Sequence, residues 1–167
     1  TKYPKLPQDQ NPRYIYEKIG YNLSPLELQA AMGRVQLRKV EKIKKLRKIN
    51  FDYLYKELSK FEELVMPKWI KGADICWFGF PISVHTGRSE LIEYLEKKGI
   101  ETRTMFTGNV IKHPAYKNSV YRVSGELKEA NWILKNSLWF TVHPRYTPKD
   151  LKYIVNVFKG YYGFGRV

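Results

Sequence analysis

Cysteine is almost absent from this chain, and long apolar runs are missing altogether. Because Cys76 is the only cysteine, there is no internal disulfide, and this chain's thiolates alone cannot build a zinc or iron–sulfur site. No run approaches the ~18 apolar residues of a membrane-spanning helix. The first residues also lack the apolar core of a signal peptide, so we expect a cytoplasmic location and no membrane partner.

Acidic residues are scarce as well. The chain has 16 Asp and Glu against 30 Lys and Arg, a formal net charge of +14. Such a surface attracts anions: nucleotide phosphates, nucleic acid, acidic lipids or an acidic partner domain. A proteome rich in lysine would produce the same excess without any anionic ligand.

What is present indicates one folded domain with an arm before it. The 167 residues are 43% hydrophobic and 15% aromatic, enough for a core. Prolines at Pro4, Pro7 and Pro12 exclude a regular helix near the start. We therefore predict an extended arm or linker over residues 1–22, leading from a larger domain, and a compact small domain over residues 23–167.

The first helical segment has a strong start signal. Ser24 suits the N-cap and Pro25 the first helical position, and Glu27 completes a capping box. Apolar residues then recur at helical spacing to about residue 60. Since this exceeds a typical helix length, we predict a bend or break between Gly33 and Leu37.

The remaining pattern alternates short strands with helices. Strands are predicted at 64–66, 76–84, 100–105 and 138–142, with Pro81 indicating an edge or bulge. Helices are predicted at 88–98, ended by Gly99, at 126–136, and from an N-cap at Thr147 to about 159. Helices packed on one small, mainly antiparallel sheet make this an α+β fold.

The irregular stretch 101–117 gathers side chains suited to binding. These are Arg103, Asn109, Lys112, His113 and Tyr116. Loops of this kind often carry binding sites, and Arg103 or Lys112 suits a phosphate. On composition alone, a surface loop with a few solvated charges is the favoured explanation.

Several motifs together resemble one known family. They are Y-I-Y-E-K-I-G-Y-N at 14–22, the S-P-L-E, Q-A-A and Q-L groups between 24 and 37, W-F-G-F-P at 77–81, T-R-T-M-F-T-G-N and H-P-A-Y between 102 and 116, Y-R-V-S-G-E-L at 121–127, and N-S-L-W-F-T-V-H-P at 136–144. In this order they resemble the C-terminal portion of DegT-type nucleotide-sugar aminotransferases and dehydratases. The loop motifs are most similar to the 4-keto-6-deoxy-sugar 3-dehydratase branch.

The resemblance implies a fold type I enzyme that uses pyridoxal or pyridoxamine phosphate (PLP or PMP) in nucleotide-sugar biosynthesis for surface polysaccharides. In the 3-dehydratase branch the cofactor serves as electron sink while the sugar 3-hydroxyl leaves. Asn22 matches an asparagine that reaches the cofactor phosphate across a homodimer interface. Arg103, Asn109, His113 and Tyr116 match positions in the loop that faces the substrate.

The resemblance also implies what this chain does not carry. The catalytic lysine of the aminotransferases, or histidine of the dehydratases, lies on the large cofactor-binding domain. We therefore expect no catalytic residue, no covalent cofactor attachment, no metal site and no activity in this chain alone. Residues 1–13 contain no cysteine, which argues against the iron–sulfur cluster of one dehydratase subgroup.

Two other interpretations stay open at this point. One is the aminotransferase branch, which the residue at the upstream cofactor position would distinguish. The other is a basic module, without enzymatic activity, that binds nucleic acid or an acidic partner through the helix at 38–48. Val40, Ile43 and Leu46 predict a buried stripe on that helix, so nucleic acid is the less favoured ligand.

Overall fold

A computed structural model describes residues 21, 23, 25–106, 108–116 and 118–163. The chain divides into two compact units, Thr1–Lys39 and Val40–Val167. The boundary predicted between residues 22 and 23 stays a prediction.

The first unit contains helix α1, Glu27–Leu37, in which every residue is exposed. The prediction that Pro25 begins this helix is wrong by two residues. Leu26 occupies the N-cap position, and its amide donates to Oε1 of Gln29 at 2.8 Å. The capping box predicted for Ser24 and Glu27 depends on Ser24, which lies outside the described residues.

The second unit opens with helix α2, Val40–Leu58. Two helices instead of one confirm the predicted interruption, which falls at residues 38 and 39, just after the predicted range. The buried stripe begins later than predicted. Val40 is 39% exposed and Ile43 is half-buried, whereas burial is complete only from Asn50 onward.

Four short strands form the sheet. They are β1 Leu64–Val65, β2 Gly79–Val84, β3 Thr102–Thr104 and β4 Ser137–Thr141. The order is β1-β2-β4-β3, with every neighbouring pair antiparallel. Because β2 and β3 both oppose β4, they run in the same direction with β4 between them. β1 pairs only with Ser83 and Val84, so Pro81 has a strand on one side alone, as its edge prediction requires.

Three further helices complete the unit: α3 Arg88–Lys97, α4 Lys128–Asn136 and α5 Pro148–Gly163. The stop at Gly99 is confirmed, since its φ is +74° and its amide donates to the Glu96 carbonyl. The amide of Ile100 donates to the Leu95 carbonyl, which completes a Schellman motif. The start at Thr147 is also confirmed, because its hydroxyl accepts from the Asp150 amide at 3.3 Å.

The core lies between one face of the sheet and the helices α2, α3 and α5. Alternate strand residues point into it, among them Phe80 and Ile82 on β2 and Leu138 and Phe140 on β4. Phe80 and Phe140 stack with centroids 5.3 Å apart. The prediction of an α+β fold with helices on a small antiparallel sheet is confirmed.

Candidate functional site

The second face of the sheet carries a row of non-core residues across three strands. Pro81 pairs with Trp139, and Trp139 pairs on its other side with Arg103. Directly opposite residues in antiparallel strands share a face, with Cβ atoms about 5 Å apart. Arg103, predicted as a substrate-binding residue, is therefore next to an aromatic side chain on this face.

The Trp139 indole lies across the neighbouring strands and contacts β3 at one edge and β2 at the other. Its Nε1 donates to the Thr104 carbonyl of β3 at 3.1 Å. On the other side its six-membered ring covers Gly79 of β2, where an added Cβ would stand 2.5 Å from Cε3. Only glycine leaves room for the ring at this position.

Phe78 stands beside this indole, immediately before β2. The two ring centroids are 5.2 Å apart with an interplanar angle of 76°, an edge-to-face arrangement. Phe78 is 55% exposed. An aromatic floor and an aromatic wall thus meet at nearly a right angle on an open surface.

The Arg103 side chain, on the same sheet face, is 60% exposed. Nη1 donates to the Thr102 carbonyl at 2.9 Å, and Nη2 is paired with the Glu101 carboxylate. Thr102, which alternates with Arg103, is buried and donates to Glu96 of α3 at 2.8 Å. That bond joins β3 to α3.

The connection between β3 and α4, residues 105–127, is irregular as predicted, with 3-10 turns at Val110–Lys112 and Pro114–Tyr116. It is pressed onto α4 at Gly108. An added Cβ there would lie 2.4 Å from the Leu134 Cα, and its φ is +58°. Phe106 and Leu127 also have positive φ, at 46° and 51°. Such conformations are costly for non-glycine residues and concentrate at functional sites.

Asn109 is buried, at 4% exposure, and its side chain serves this connection. Its Nδ2 donates to Oδ1 of Asn131 on α4 at 2.9 Å, and its Oδ1 accepts from the Ile111 amide at 3.3 Å. This geometry fixes the loop and starts the first 3-10 turn. Asn109 therefore supports the loop from within.

His113 and Tyr116 remain at the surface of the same connection. The Nδ1 of His113 accepts from the Ala115 amide at 3.3 Å. The two rings are 6.3 Å apart, and Tyr116 is 46% exposed. Both side chains are accessible to a ligand. Asn22, the predicted cofactor-phosphate residue, lies outside the described residues.

A mostly apolar groove of about 600 Å³ runs between the connection and α4. Asn109 lines it, together with Phe106, Val110, Tyr121 and Arg122. The residues Arg103, His113 and Tyr116 do not line it. The structure thus places Asn109 in the groove, Arg103 on the open sheet face, and His113 and Tyr116 at the surface of the connection.

Sequence reasoning missed the importance of Gly79, Phe78 and Trp139, and treated Gly108 only as a breaker. The signals were present, in W-F-G-F-P and N-S-L-W-F, but the register that brings Gly79 under Trp139 joins residues 60 positions apart. Within the described ranges, no three His, Cys, Asp or Glu side chains cluster as a metal site would need. Among the helices in the described ranges, none combines the length and the hydropathy that a membrane-spanning segment needs.

The small antiparallel sheet with its long entry helices is an architecture of PLP-dependent fold type I enzymes. The structure of Escherichia coli GDP-4-keto-6-deoxy-D-mannose-3-dehydratase with bound hydrated PLP aligns with a TM-score of 0.78 and 27% identity, covering 87% of this chain and 38% of that one. The match to the DegT/DnrJ/EryC1/StrS aminotransferase family spans residues 4–159, and this chain belongs to that family.

Two curated relatives refine the placement. The lipopolysaccharide biosynthesis protein RfbH of Salmonella typhimurium is 38% identical over 95% of this chain and 37% of its own length. The dTDP-4-dehydro-2,6-dideoxy-D-glucose 3-dehydratase of Saccharopolyspora spinosa is 32% identical over 90% of this chain and 33% of its own length. The chain thus spans about a third of the length of the curated relatives it matches.

Proposed function

We propose that this chain forms the small domain of a PLP- or PMP-dependent 3-dehydratase that acts on a nucleotide-linked 4-keto-6-deoxy sugar. The observation that carries the proposal is the similarity to proteins named as 3-dehydratases, at 32% and 27% identity over most of the chain. In this role the chain supplies one wall of the active site in a homodimer. A nucleotide-sugar substrate is consistent with the cytoplasmic location expected from the sequence.

We assign different parts of substrate binding to different residues of the chain. Arg103 offers an exposed guanidinium, which is paired with Glu101 in the structure, and guanidinium groups bind phosphates through paired hydrogen bonds. His113 and Tyr116 present polar ring atoms on an exposed loop. Asn109, held against Asn131, positions that loop.

Cofactor chemistry requires groups that we assign to a separate cofactor-binding domain. When bound, PLP or PMP supplies an electron sink. A lysine that forms a Schiff base is activated by desolvation or by a neighbouring cation. None of the lysines in the described ranges is buried, and the pKa of Lys44 is raised because Asp74 hydrogen-bonds and pairs with its ammonium. We assign only phosphate contact, at Asn22, to this chain, and no iron–sulfur cluster.

The aminotransferase branch is the alternative within the family, and one assay separates the two. The native protein, purified from its source cells with its cofactor, is given a nucleotide 4-keto-6-deoxy sugar with and without glutamate, and the product is identified by mass spectrometry and NMR. We expect loss of the 3-hydroxyl. Gain of an amino group at C4 that depends on glutamate, with the 3-hydroxyl retained, would overturn the proposal.

Binding of nucleic acid is less well supported by the structure of α2. Lys44 pairs with Asp74 at 2.9 Å and Lys48 with Asp52 at 3.4 Å, so part of the positive charge is compensated within the chain. Affinity for DNA that falls steeply with salt, by several orders of magnitude, would instead favour the basic-module interpretation.

A further inference from the structure

Residues 68–74, which lie between β1 and β2, are all exposed and have the sequence K-W-I-K-G-A-D. Two large apolar side chains are adjacent in this segment, with Trp69 45% and Ile70 84% exposed. Lys68 precedes them and Lys71 follows them. Neighbouring exposed apolar residues are an informative exception on a protein surface, because their contact with water is unfavourable.

The backbone of the 68–74 segment forms an ordered turn. The Ala73 amide donates to the Ile70 carbonyl at 3.1 Å, and Gly72, the third residue of the turn, has a φ of +88°. A glycine with positive φ at that position is typical of a type II turn. Among the described residues, no atom lies within 4 Å of a Cβ added to Gly72, so the turn faces open space. Ile70 and Lys71 are therefore held at the tip of a defined turn.

Contacts with α2 fix the segment on both sides of this turn. Before the turn, the Trp69 indole meets the rings of Phe51 and Tyr55 edge-to-face, with centroids 6.0 and 5.3 Å away. After the turn, the Asp74 carboxylate accepts from Nζ of Lys44 at 2.9 Å. Because both sides are fixed, little conformational entropy is lost when the tip binds a partner.

The charge around the tip is positive. Lys44 is paired with Asp74, whereas Lys68 and Lys71 have no carboxylate partner in the described part of the chain. The whole chain carries a formal net charge of +14. The complementary surface has negative groups above an apolar layer, and a bilayer with acidic phospholipids has this structure.

We propose that the 68–74 segment binds the surface of a bilayer that contains acidic phospholipids. Ile70 enters the boundary of the apolar layer, and Lys68 and Lys71 pair with lipid phosphates. Trp69 lies at the level of the headgroups, where an indole is favoured because it has an apolar body and one N–H donor.

This inference does not depend on the proposed function, because the segment contains none of the residues that we assign to substrate or cofactor. It replaces the expectation of no membrane partner. That expectation was based on the missing apolar run, which a segment needs to span a bilayer but does not need to bind its surface.

Nucleic acid is another polyanion that the same charge would attract. Its phosphates would pair with Lys68 and Lys71, but Ile70 would gain nothing from them. Stacking of a base requires an accessible aromatic ring, and the Trp69 indole is already in contact with Phe51 and Tyr55. The isoleucine at the tip therefore favours the bilayer.

Sedimentation with sucrose-loaded vesicles tests the proposal on the native protein. The vesicles consist of phosphatidylcholine alone, or of phosphatidylcholine with one third phosphatidylglycerol. We expect binding to the acidic vesicles only, and weaker binding as the salt concentration rises from about 0.1 to about 1 M, because the Debye length falls from ~10 to ~3 Å. Equal binding to both kinds of vesicle, or binding to neither, would overturn the proposal.

Substitutions at the tip separate the apolar from the electrostatic contribution. Ile70→Ser should weaken binding to the acidic vesicles about tenfold, because no apolar side chain then enters the boundary. Its matched control is Val120→Ser, at a fully exposed valine in the connection at 105–127, which should change nothing. Lys68→Gln and Lys71→Gln should each weaken binding about fivefold, whereas Lys152→Gln, at an exposed lysine of α5, should not. Equal binding by Ile70→Ser and wild type would contradict insertion of the tip.

Fluorescence quenching by brominated phosphatidylglycerol shows whether this segment is the one that enters the bilayer. Trp69→Phe, which keeps a ring against Phe51 and Tyr55, should lose most of the quenching seen in wild type. Trp132→Phe, at a half-buried tryptophan of α4, should keep it. Quenching that persists in Trp69→Phe would overturn the proposal. Preference for single-stranded RNA over the acidic vesicles, unchanged in Ile70→Ser, would also overturn it and make nucleic acid the partner.

Discussion

Apolar side chains are buried between the sheet and its three covering helices, whereas in the connection at 105–127 several are exposed. Phe80, Phe140 and Phe158 are at most 1% exposed, whereas Phe106 is 84% and Tyr121 49% exposed. The core is therefore stabilised by packing among its own buried side chains. The connection is held to α4 by a few contacts, among them the Asn109–Asn131 hydrogen bond and the close approach of Gly108 to Leu134.

The largest expected effect is a loss of stability when the core is truncated. Phe140→Ala should lower the free energy of unfolding by about 3–5 kcal/mol, because it removes buried area and leaves a cavity beside Phe80 and Phe158. Urea denaturation followed by circular dichroism measures this. A loss below about 1 kcal/mol would mean that the core collapses around the gap and is less rigid than the contrast assumes.

A smaller but sharp effect is expected where the connection meets α4. Gly108→Ala should cost about 1–3 kcal/mol, since its methyl would overlap the Leu134 backbone and the residue has a positive φ. The control is Gly125→Ala, which has φ +75° but nothing within 4 Å of the added carbon. Equal losses in the two variants would assign the cost to backbone conformation and not to the close approach.

The start of α5 should contribute about 1 kcal/mol. Thr147→Ala removes the hydroxyl that accepts from the Asp150 amide, while the Asp150 carboxylate still accepts from the Thr147 amide at 2.8 Å. The change in the urea midpoint measures the loss of the cap. Thr147→Ser keeps a hydroxyl at this position and should recover most of the difference.

Asp150 adds a pH dependence of known sign. The Thr147 amide and hydroxyl donate to its carboxylate and lower the pKa of Asp150. A lowered pKa in the folded state gives stability that is present above the unfolded value, about 3.9, and lost as the pH falls through the folded value. Asp150→Asn should therefore be less stable than wild type at pH 7, and the two curves should converge at strongly acidic pH. Parallel curves would exclude this linkage.

The smallest expected effect on stability is at the tip of the connection. Phe106→Ala should change the free energy of unfolding by no more than about 0.5 kcal/mol, as is usual for exposed positions. On the proposed function, the same variant should still raise KM for the nucleotide sugar, because the side chain lines the groove. A large loss of stability without a change in KM would mean that Phe106 acts as a core residue. It would contradict the contrast between the core and the connection.

Local signals in the sequence predicted most of the elements correctly. Gly99 and Thr147 were found because a stop or start of a helix depends on residues within one turn. Helix α1 begins two residues later than the local signals predict, and there the Leu26 amide donates to the Gln29 side chain. The substrate-binding role predicted for Arg103, Asn109, His113 and Tyr116 stays a prediction, and the burial of Asn109 against Asn131 follows from no local pattern.

The sequence by itself determined the helices and strands, the α+β class and the family, because periodicity, caps and short motifs depend only on residues that are close together in the chain. Only the tertiary structure decided that β4 lies between β2 and β3, that Trp139 rests over Gly79, and that Gly108 touches α4 at Leu134. These contacts join residues far apart in the chain. They depend on strand register and on close approach in space, which no local pattern encodes.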